Sequence, residues 1–323
     1  MRRRYLCGAL VGVLAIAGVL TASGAARPAD SHALGKPSVM RPLGFKPVQH
    51  SKPARPRRTN NLAYQGGVGG IGVETAPKVY LVLWGSQWSI DPSGESTILE
   101  NFFNHAGGSS WLNSVTQYCQ GVARGTITCG SSGQHAGNPA AIYGGILRDT
   151  GSAAPSHPTQ SQLAGEAIRA AANFNNTTSG SNATVQYVIA TAHNNNATGF
   201  GTQYCAWHSS TSSTYGNIAY TNLPYITDAG GSCGANFVNG GTAGTTDGIT
   251  IVEGHELAET ITDQFPNGGW LDGSGEENGD KCAWISSGQG ASANVPMGNA
   301  TFPVQSLWSN AFNNNSGGCV LSY

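Results

Sequence analysis

Residues that could bind a metal ion, or act as a base beside it, lie close together in the stretch 254–263. His255 and Glu259 are four positions apart, so on a helix their side chains project from one face, and Glu256 lies beside them. This pattern is the HExxH zinc motif with its second histidine replaced by glutamate. It predicts metal-assisted hydrolysis, in which His255 and Glu259 are metal ligands and Glu256 is the catalytic general base.

A third ligand must come from elsewhere, because a catalytic zinc site has three protein ligands and an open position for water. Glu277 lies 18 positions after Glu259, beyond a turn, and we expect it to be this ligand, as in the gluzincin arrangement. Asp263, one turn after Glu259, and Asp280 are alternative ligands or partners of the ligands. Zinc is the expected cofactor, with Mn²⁺ or Ca²⁺ as alternatives because carboxylates also suit harder cations.

Two other interpretations of these acidic residues stay open. The first is a surface helix whose acids are solvated and whose histidine makes an ordinary hydrogen bond. The second is a structural calcium site, since hard carboxylate oxygens suit Ca²⁺. Its ligands would be Asp272, Glu276, Glu277 and Asp280.

The distribution of charge favours a cation in this region. Residues 1–60 carry 11 of the 16 Lys and Arg residues, whereas residues 61–323 carry 16 of the 17 acids, a net charge of −11. Ten of these acids lie between Asp228 and Asp280, with Lys281 as almost the only basic residue nearby. Clustered carboxylates repel one another and require a compensating charge, which a metal ion supplies. The negative charge also argues against nucleic acid as a partner.

Two N-terminal segments differ from the rest of the chain. Residues 1–26 have a basic start, a short apolar run and a small-residue cleavage zone, so they predict a signal peptide and a secreted, extracellular protein without a membrane anchor. Residues 27–60 contain six prolines, eight basic residues and one acid, and we interpret them as a basic propeptide or disordered leader. The charge asymmetry suggests that this leader covers the acidic site until a protease cuts at Arg55–Arg58.

The remaining chain is long enough for one globular, metal-dependent domain, residues 61–323. Lys78–Trp84 and Val185–Ala190 are β-branched and aromatic runs that predict buried strands. Thr159–Phe174 and Asp247–Thr262 are predicted helices, and the second carries the motif. Strands alternating with helices predict an α/β or α+β fold with a mixed sheet and packed helices. Stretches rich in Gly, Ser and Asn predict long loops at 194–245 and 266–318.

Six cysteines follow the signal peptide, and an even number in an exported chain predicts three disulfide bonds. Other connectivities are open, but proximity in the sequence favours one set of pairs. These pairs are Cys119–Cys129, Cys205–Cys233 and Cys282–Cys319.

Two weaker candidate sites are present. Gly230–Gly234 matches the G-x-S-x-G pattern, but its flanks lack the expected strand and helix, so a nucleophilic Ser232 is disfavoured. Cys205 and His208 could form a thiol nucleophile and its base, although we expect Cys205 in a disulfide. His193 and His208 are otherwise predicted to be solvated or structural histidines in polar loops, where either could line the site.

The motif region has three segments that occur together in a known family: His255–Asp263, Gly269–Trp270 and Glu277–Trp284. In these segments the chain resembles the secreted bacterial branch of the phosphate-induced (EXORDIUM-like) proteins. By this resemblance Glu277 and Asp280, rather than Glu276, occupy the downstream acidic positions. The resemblance implies an extracellular, growth-related protein, and this chain retains the His-Glu pair that plant members often lack.

These observations predict a secreted, disulfide-stabilised metal-dependent hydrolase, within that class a peptidase acting on a protein or peptide substrate. The alternative is a non-catalytic extracellular or cell-wall-associated protein that keeps a metal for structure. In that case exposed tryptophans could stack on the sugar rings of wall polysaccharide. The candidates are Trp207, Trp270, Trp284 and Trp308.

Overall fold

The computed structural model describes residues 33–45 and 60–323. The predicted signal peptide and the basic site Arg55–Arg58 lie outside these described residues. Within the described part of the chain, no helix combines the length and the apolar composition needed to cross a bilayer.

The helices and strands of the described residues are as follows. The α-helices are α1 (Glu95–Ala106), α2 (Gln160–Asn173) and α3 (Asp247–Thr262), and a short helical turn covers Phe312–Asn315. The 3-10 helices are Ser86–Ser89, Leu112–Gln117, Ile226–Cys233, Gly241–Gly244 and Asp280–Cys282. The strands are β1 (Ser38–Met40), β2 (Ala63–Tyr64), β3 (Lys78–Trp84), β4 (Cys119–Gln120), β5 (Gln134–His135), β6 (Tyr143–Asp149), β7 (Val185–Thr191), β8 (Ala206–Ser213), β9 (Gly216–Leu223), β10 (Trp270–Leu271), β11 (Ala293–Met297), β12 (Ala300–Val304), β13 (Leu307–Ser309) and β14 (Gly318–Val320).

A six-stranded mixed sheet forms the centre of the fold, in the order β1-β8-β9-β7-β3-β6. Strands β9, β7, β3 and β6 run parallel, whereas β8 is antiparallel to both of its neighbours, β9 and β1. This mixed sheet with packed helices confirms the α/β prediction. The predicted strand Lys78–Trp84 and helix Asp247–Thr262 have the observed bounds of β3 and α3.

The two faces of the sheet bury two separate cores, which follows from the alternation of side chains along a strand. On β3, Leu81 and Leu83 belong to the core that contains α1 and α3, whereas Val82 and Trp84 belong to the core that contains α2. A sheet covered on both faces explains why β3 and β7 are continuous apolar runs rather than alternating ones.

Helix α3 is buried along its whole length, with no residue exposed on any face. It packs against α1, β8, β12 and the 3-10 helix Ile226–Cys233. The Asp247 carboxylate accepts backbone hydrogen bonds from Val238 and Asn239 at the start of the helix. Asp263, directly after its end, accepts backbone hydrogen bonds from the turn 267–269. The polar side chains between these ends therefore have no route to bulk water along the helix surface.

Two predictions of long loops are wrong in part. The stretch 194–245 contains β8 as well as β9, of which the sequence indicates only a weaker strand at Asn217–Tyr220. The stretch 266–318 contains β10, β11, β12 and β13. Strand β8 was missed because its sequence, AWHSSTSS, is polar throughout its second half and lacks apolar alternation. Its side chains are buried all the same at Trp207 and His208.

The leader prediction also requires a correction within residues 33–45. The disordered alternative does not hold there, since Ser38–Met40 form the edge strand β1 on β8, with Ser38 opposite His208. Met40 is fully buried in the core, and Trp284 Nε1 donates a hydrogen bond to the Arg41 carbonyl. The propeptide alternative stays a prediction.

All three predicted disulfide bonds are present, with the pairing that proximity favoured. The bond Cys205–Cys233 joins the start of β8 to the segment that precedes α3, and the bond Cys282–Cys319 joins the loop containing Asp280 to β14. The bonds are Cys119–Cys129, Cys205–Cys233 and Cys282–Cys319.

One buried acid outside α3 affects the pH dependence of stability. Glu74 is fully buried; its backbone N–H donates to the Ile261 carbonyl, and its Oε2 accepts a hydrogen bond of 3.1 Å from Gln186 Nε2. Burial raises the pKa of Glu74 from 4.5 to about 8, although the Gln186 bond opposes this change. The folded state therefore binds a proton that the unfolded chain releases, so this group's contribution to stability is lost as the pH rises through about 8.

We predict that Glu74→Gln makes the protein less sensitive to alkaline conditions. Between about pH 5 and about pH 8, the variant should lose less unfolding free energy than the wild type, by about 1–3 kcal/mol, because a neutral amide replaces a buried acid. Urea denaturation at both pH values measures this difference. The exposed acid variant Glu276→Gln is the control, and equal pH dependence in Glu74→Gln and wild type would contradict the assignment.

Candidate metal centre

The two motif residues meet as the helical spacing predicted. In α3, His255 Nε2 lies 3.0 Å from Glu259 Oε1, and both side chains are fully buried. The loop after α3 brings Asp280 Oδ1 to 3.7 Å from the same nitrogen. His255, Glu259 and Asp280 can thus each offer one atom to a single metal ion. We name this set the His255 group.

The tautomer of His255 is fixed by Gln305, which follows β12. Gln305 Nε2 donates hydrogen bonds to the carbonyls of Gly279 and Ser306, so its Oε1 faces His255 Nδ1 at 3.2 Å. An amide oxygen only accepts, and Nδ1 must therefore carry the proton. In the neutral imidazole, the lone pair is then on Nε2 and points toward Glu259 and Asp280, an arrangement that a bound cation would stabilise.

A second set of possible ligands lies on the other side of Glu259. His208 Nδ1 of β8 is 3.2 Å from Glu256 Oε2 and 3.6 Å from Glu259 Oε2. These three residues can also each offer one atom to a single ion, and all are fully buried. We name them the His208 group. The prediction that His208 lies in a polar loop is wrong, because it lies in a strand against α3.

The predicted third ligand, Glu277, contacts the other histidine. Its Oε1 is 3.5 Å from His208 Nε2, and its Oε2 accepts a hydrogen bond from the Ser38 hydroxyl of β1. Burial opposes ionisation of Glu277, but His208 and the Ser38 hydrogen bond outweigh it and lower the pKa of this carboxyl. The structure therefore places Asp280, predicted as an alternative ligand, in the His255 group, and Glu277 beside His208.

The other alternative ligand, Asp263, is occupied by the backbone. Its two oxygens accept hydrogen bonds from the N–H groups of Asn267, Gly268 and Gly269, which close the turn after α3. Burial, followed by the charge of Glu277, raises its pKa well above the ordinary value. Asp263 therefore shapes the turn that leads toward Glu277.

The calcium alternative finds less support in the geometry. The Asp272 carboxylate accepts hydrogen bonds from the backbone of Ser274 and Glu276 and from Lys281 Nζ, at 2.8 Å in the last case. Glu276 is exposed. Because Lys281 binds Asp272 and also lies over the Trp308 ring, this base does not neutralise the buried acids of α3.

Burial opposes ionisation throughout the centre. It raises the pKa of Glu259 well above the ordinary value, with further contributions from Asp280, Glu277 and Glu256, and it raises that of Asp280 to about 7. Burial works against a charged His208, but Glu277 and Glu256 outweigh it and raise the pKa of the imidazole. A buried acid or histidine of this centre is therefore stable in its charged form only beside an oppositely charged residue or a cation.

Sequence reasoning missed Glu253, one turn before Glu256 on α3. Both of its carboxylate oxygens are buried without a hydrogen-bond partner in the described residues. Burial and the charge of Glu256 raise its pKa well above the ordinary value. The sequence did hold a signal, since Glu253, Glu256 and Glu259 recur at a spacing of three residues, and on a buried helix three such acids must share an environment.

A cavity of about 260 Å³ lies beside the centre, between β1 and the loop after α3. Its lining combines basic residues of the leader with acidic residues of the domain. The charged residues are Lys36, Arg41, Asp263, Glu276, Glu277 and Asp280. Residues 33–45, which we call the leader strap, therefore contribute one wall of this cavity.

The weaker candidate sites find no support. Ser232 Oγ donates to the Ala229 carbonyl, and Cys233 and Cys205 form a disulfide bond. His193 pairs with Asp228 away from this centre, at 2.5 Å.

Comparison with known proteins adds no relative: no protein family model, no curated protein and no solved structure matches this chain.

We predict that Asp280, rather than Glu277, controls the affinity for a divalent cation. Asp280→Asn should weaken Zn²⁺ binding at least about tenfold, because it removes a charged oxygen from the His255 group. Glu277→Gln is the matched control and should have a smaller effect. Isothermal titration of the metal-stripped proteins measures both affinities. The opposite ranking would restore Glu277 as the third ligand.

Proposed function

We propose that this protein is a secreted metal-dependent hydrolase that cleaves peptide bonds. The observation that carries the proposal is the orientation of His255, whose Nε2 faces the Glu259 and Asp280 carboxylates inside the protein while Gln305 holds its Nδ1. Two carboxylates and one imidazole form a donor set that suits Zn²⁺ and leaves a coordination position for water. Mn²⁺ is the alternative cation, since two oxygen ligands also suit harder metals.

Glu256 is the proposed general base. It follows His255 directly on α3, and its Oε1 is buried without a hydrogen-bond partner in the described residues, so it is free to take a proton. A metal ion held by His255, Glu259 and Asp280 would lower the pKa of a bound water and polarise the substrate carbonyl. Glu256 accepts the proton of the attacking water and delivers it to the nitrogen of the breaking C–N bond. His208, 3.2 Å from Glu256 Oε2, holds this carboxylate in place.

Secretion is part of the proposal. It is supported by the signal-like composition of residues 1–26 and by three disulfide bonds, which form and persist in oxidising compartments. The resemblance to the EXORDIUM-like proteins agrees with an extracellular location, and membership of that family remains a proposal.

A second candidate function, a non-catalytic protein with a structural metal, is favoured by the depth of the site. His255 and Glu259 are fully buried, and the Asp280 side chain is 17% exposed. Structural metal sites are closed, whereas catalytic sites keep an open position. The geometry gives less support to stacking on wall polysaccharide, since Trp207, Trp270 and Trp308 are buried.

The variant Glu256→Gln separates these two functions. With one equivalent of Zn²⁺, we expect the variant to keep the metal and to lose casein hydrolysis by a factor of at least about 100, because it lacks the general base. Metal analysis and a casein assay measure the two properties, and Glu276→Gln, at the cavity rim, is the control. Unchanged metal content and unchanged hydrolysis in Glu256→Gln would favour the structural function.

We also propose that the leader strap limits access to the site. The support is its position: Ser38 lies opposite His208 and binds Glu277, while Lys36 and Arg41 line the cavity with acidic residues. Basic residues beside an acidic entrance are held by charge as well as by strand pairing.

Release of the leader strap should raise hydrolysis severalfold. A specific protease site placed at Arg55–Arg58 allows the chain to be cut and the fragment to be removed by gel filtration in mild denaturant. Cut protein that retains its fragment is the control. Thermal unfolding checks that the domain remains folded, because Met40 of the strap is part of the core. Equal activity with and without the fragment would contradict the masking role.

A further inference from the structure

The two ligand groups share one carboxylate, and its two oxygens point in different directions. Glu259 Oε1 lies 3.0 Å from His255 Nε2, whereas Glu259 Oε2 lies 3.6 Å from His208 Nδ1. Oε1 also accepts a backbone hydrogen bond of 2.8 Å from Asp280, but Oε2 is buried without a hydrogen-bond partner in the described residues. A carboxylate placed in this way can bind one cation through each oxygen.

The His208 group has the chemistry of a metal site in its own right. Its candidate ligand atoms are an imidazole nitrogen and two carboxylate oxygens, all fully buried and close enough to contact one ion. His208 Nε2 lies 3.5 Å from Glu277 Oε1, so a proton on Nε2 points at a carboxylate and Nδ1 is left to bind a metal.

The balance of buried charge also exceeds what one cation can neutralise. Four buried or nearly buried carboxyl groups contact the two histidines, whereas one divalent ion compensates two negative charges. The nearby base Lys281 is bound to Asp272. The four acids are Glu256, Glu259, Glu277 and Asp280.

We propose that a second divalent cation binds to the His208 group, with the Glu259 carboxylate bridging it to the cation of the His255 group. Binding of this second ion through Glu256 Oε2 lowers the basicity of the whole carboxylate and so weakens the general base. Excess metal therefore inhibits hydrolysis; this regulatory consequence rests on the proposed function, whereas the second site itself does not.

The second site should be the weaker one. Its ion shares Glu259 with the first, and bridged cations about 3.5–4 Å apart repel each other. Its histidine is also held less closely, because His208 Nε2 lies 3.5 Å from Glu277 Oε1, whereas His255 Nδ1 lies 3.2 Å from Gln305 Oε1. The His255 group thus fills first, and the His208 group fills at higher metal concentration.

Metal stoichiometry of the full chain tests the second site. Metal-stripped protein is titrated with ZnCl₂ by isothermal titration, and bound zinc is counted by atomic emission after dialysis. We expect two equivalents in the wild type, one in His208→Gln and two in the control His193→Gln. Saturation of the wild type at one equivalent, or two equivalents in His208→Gln, would overturn the proposal.

A measurement on the wild type avoids dependence on the folding of a variant. With two equivalents of Mn²⁺, electron paramagnetic resonance should give the spectrum of two spin-coupled ions joined by a carboxylate. A spectrum of isolated Mn²⁺ ions at the same loading would contradict the bridge.

Hydrolysis measured across the zinc titration tests the inhibition. Activity should rise to one equivalent and then fall at least about tenfold as the second site fills, which is a difference of 1.4 kcal/mol in the apparent barrier. His208→Gln should show no such fall in whatever activity it retains. Wild-type activity that stays constant beyond one equivalent would overturn the inhibition. If no hydrolysis is measured at any zinc loading, the proposed function and the inhibition are both refuted. The second site is still supported in that case if the wild type binds two equivalents of zinc and His208→Gln binds one.

Discussion

The structure depends on the burial of carboxyl groups along a helix that has no exposed face. Glu253, Glu256 and Glu259 each bring a group that strongly prefers water into the interior. A buried acid persists only if it is protonated, paired or bound to a cation. The packing of α1, β8 and β12 around α3 fixes these groups in place, and the two histidines and the chemistry of the site follow from that constraint.

The residues that surround α3 make polar contacts with its buried side chains in addition to apolar packing. Gly279 permits the loop to approach, because a Cβ at this position would lie 2.9 Å from both Glu259 Oε1 and His255 Nδ1. That approach delivers the Asp280 N–H to Glu259 and the Gly279 carbonyl to Gln305. The disulfide bond Cys282–Cys319 anchors the same loop to β14. The position of Asp280, the tautomer of His255 and the hydrogen bond to the Glu259 carboxylate thus all depend on this loop.

The sequence predicted those features that depend on residues close together in the chain. The helical pair His255 and Glu259, the strand β3 and the three disulfide bonds were all read from local spacing or proximity, and all are observed. The sequence indicated only that His208 could line the site; its contacts with the acids of α3 come from the sheet order β1-β8-β9, which no local pattern encodes. The choice between Glu277 and Asp280 depends on the path of the chain over the three positions that separate them. Gln305 is fifty positions from the histidine that it orients.

The edge strand β1 has a further consequence for the behaviour of the protein in concentrated solution. Strand β8 pairs with β9 on one side, and on the other side β1 satisfies its backbone hydrogen-bonding groups. A strand that loses such a cover presents a template on which another chain can add. The leader strap therefore protects the edge of β8 against edge-to-edge aggregation, and a protein without it would expose an open edge on which another copy of the chain could add.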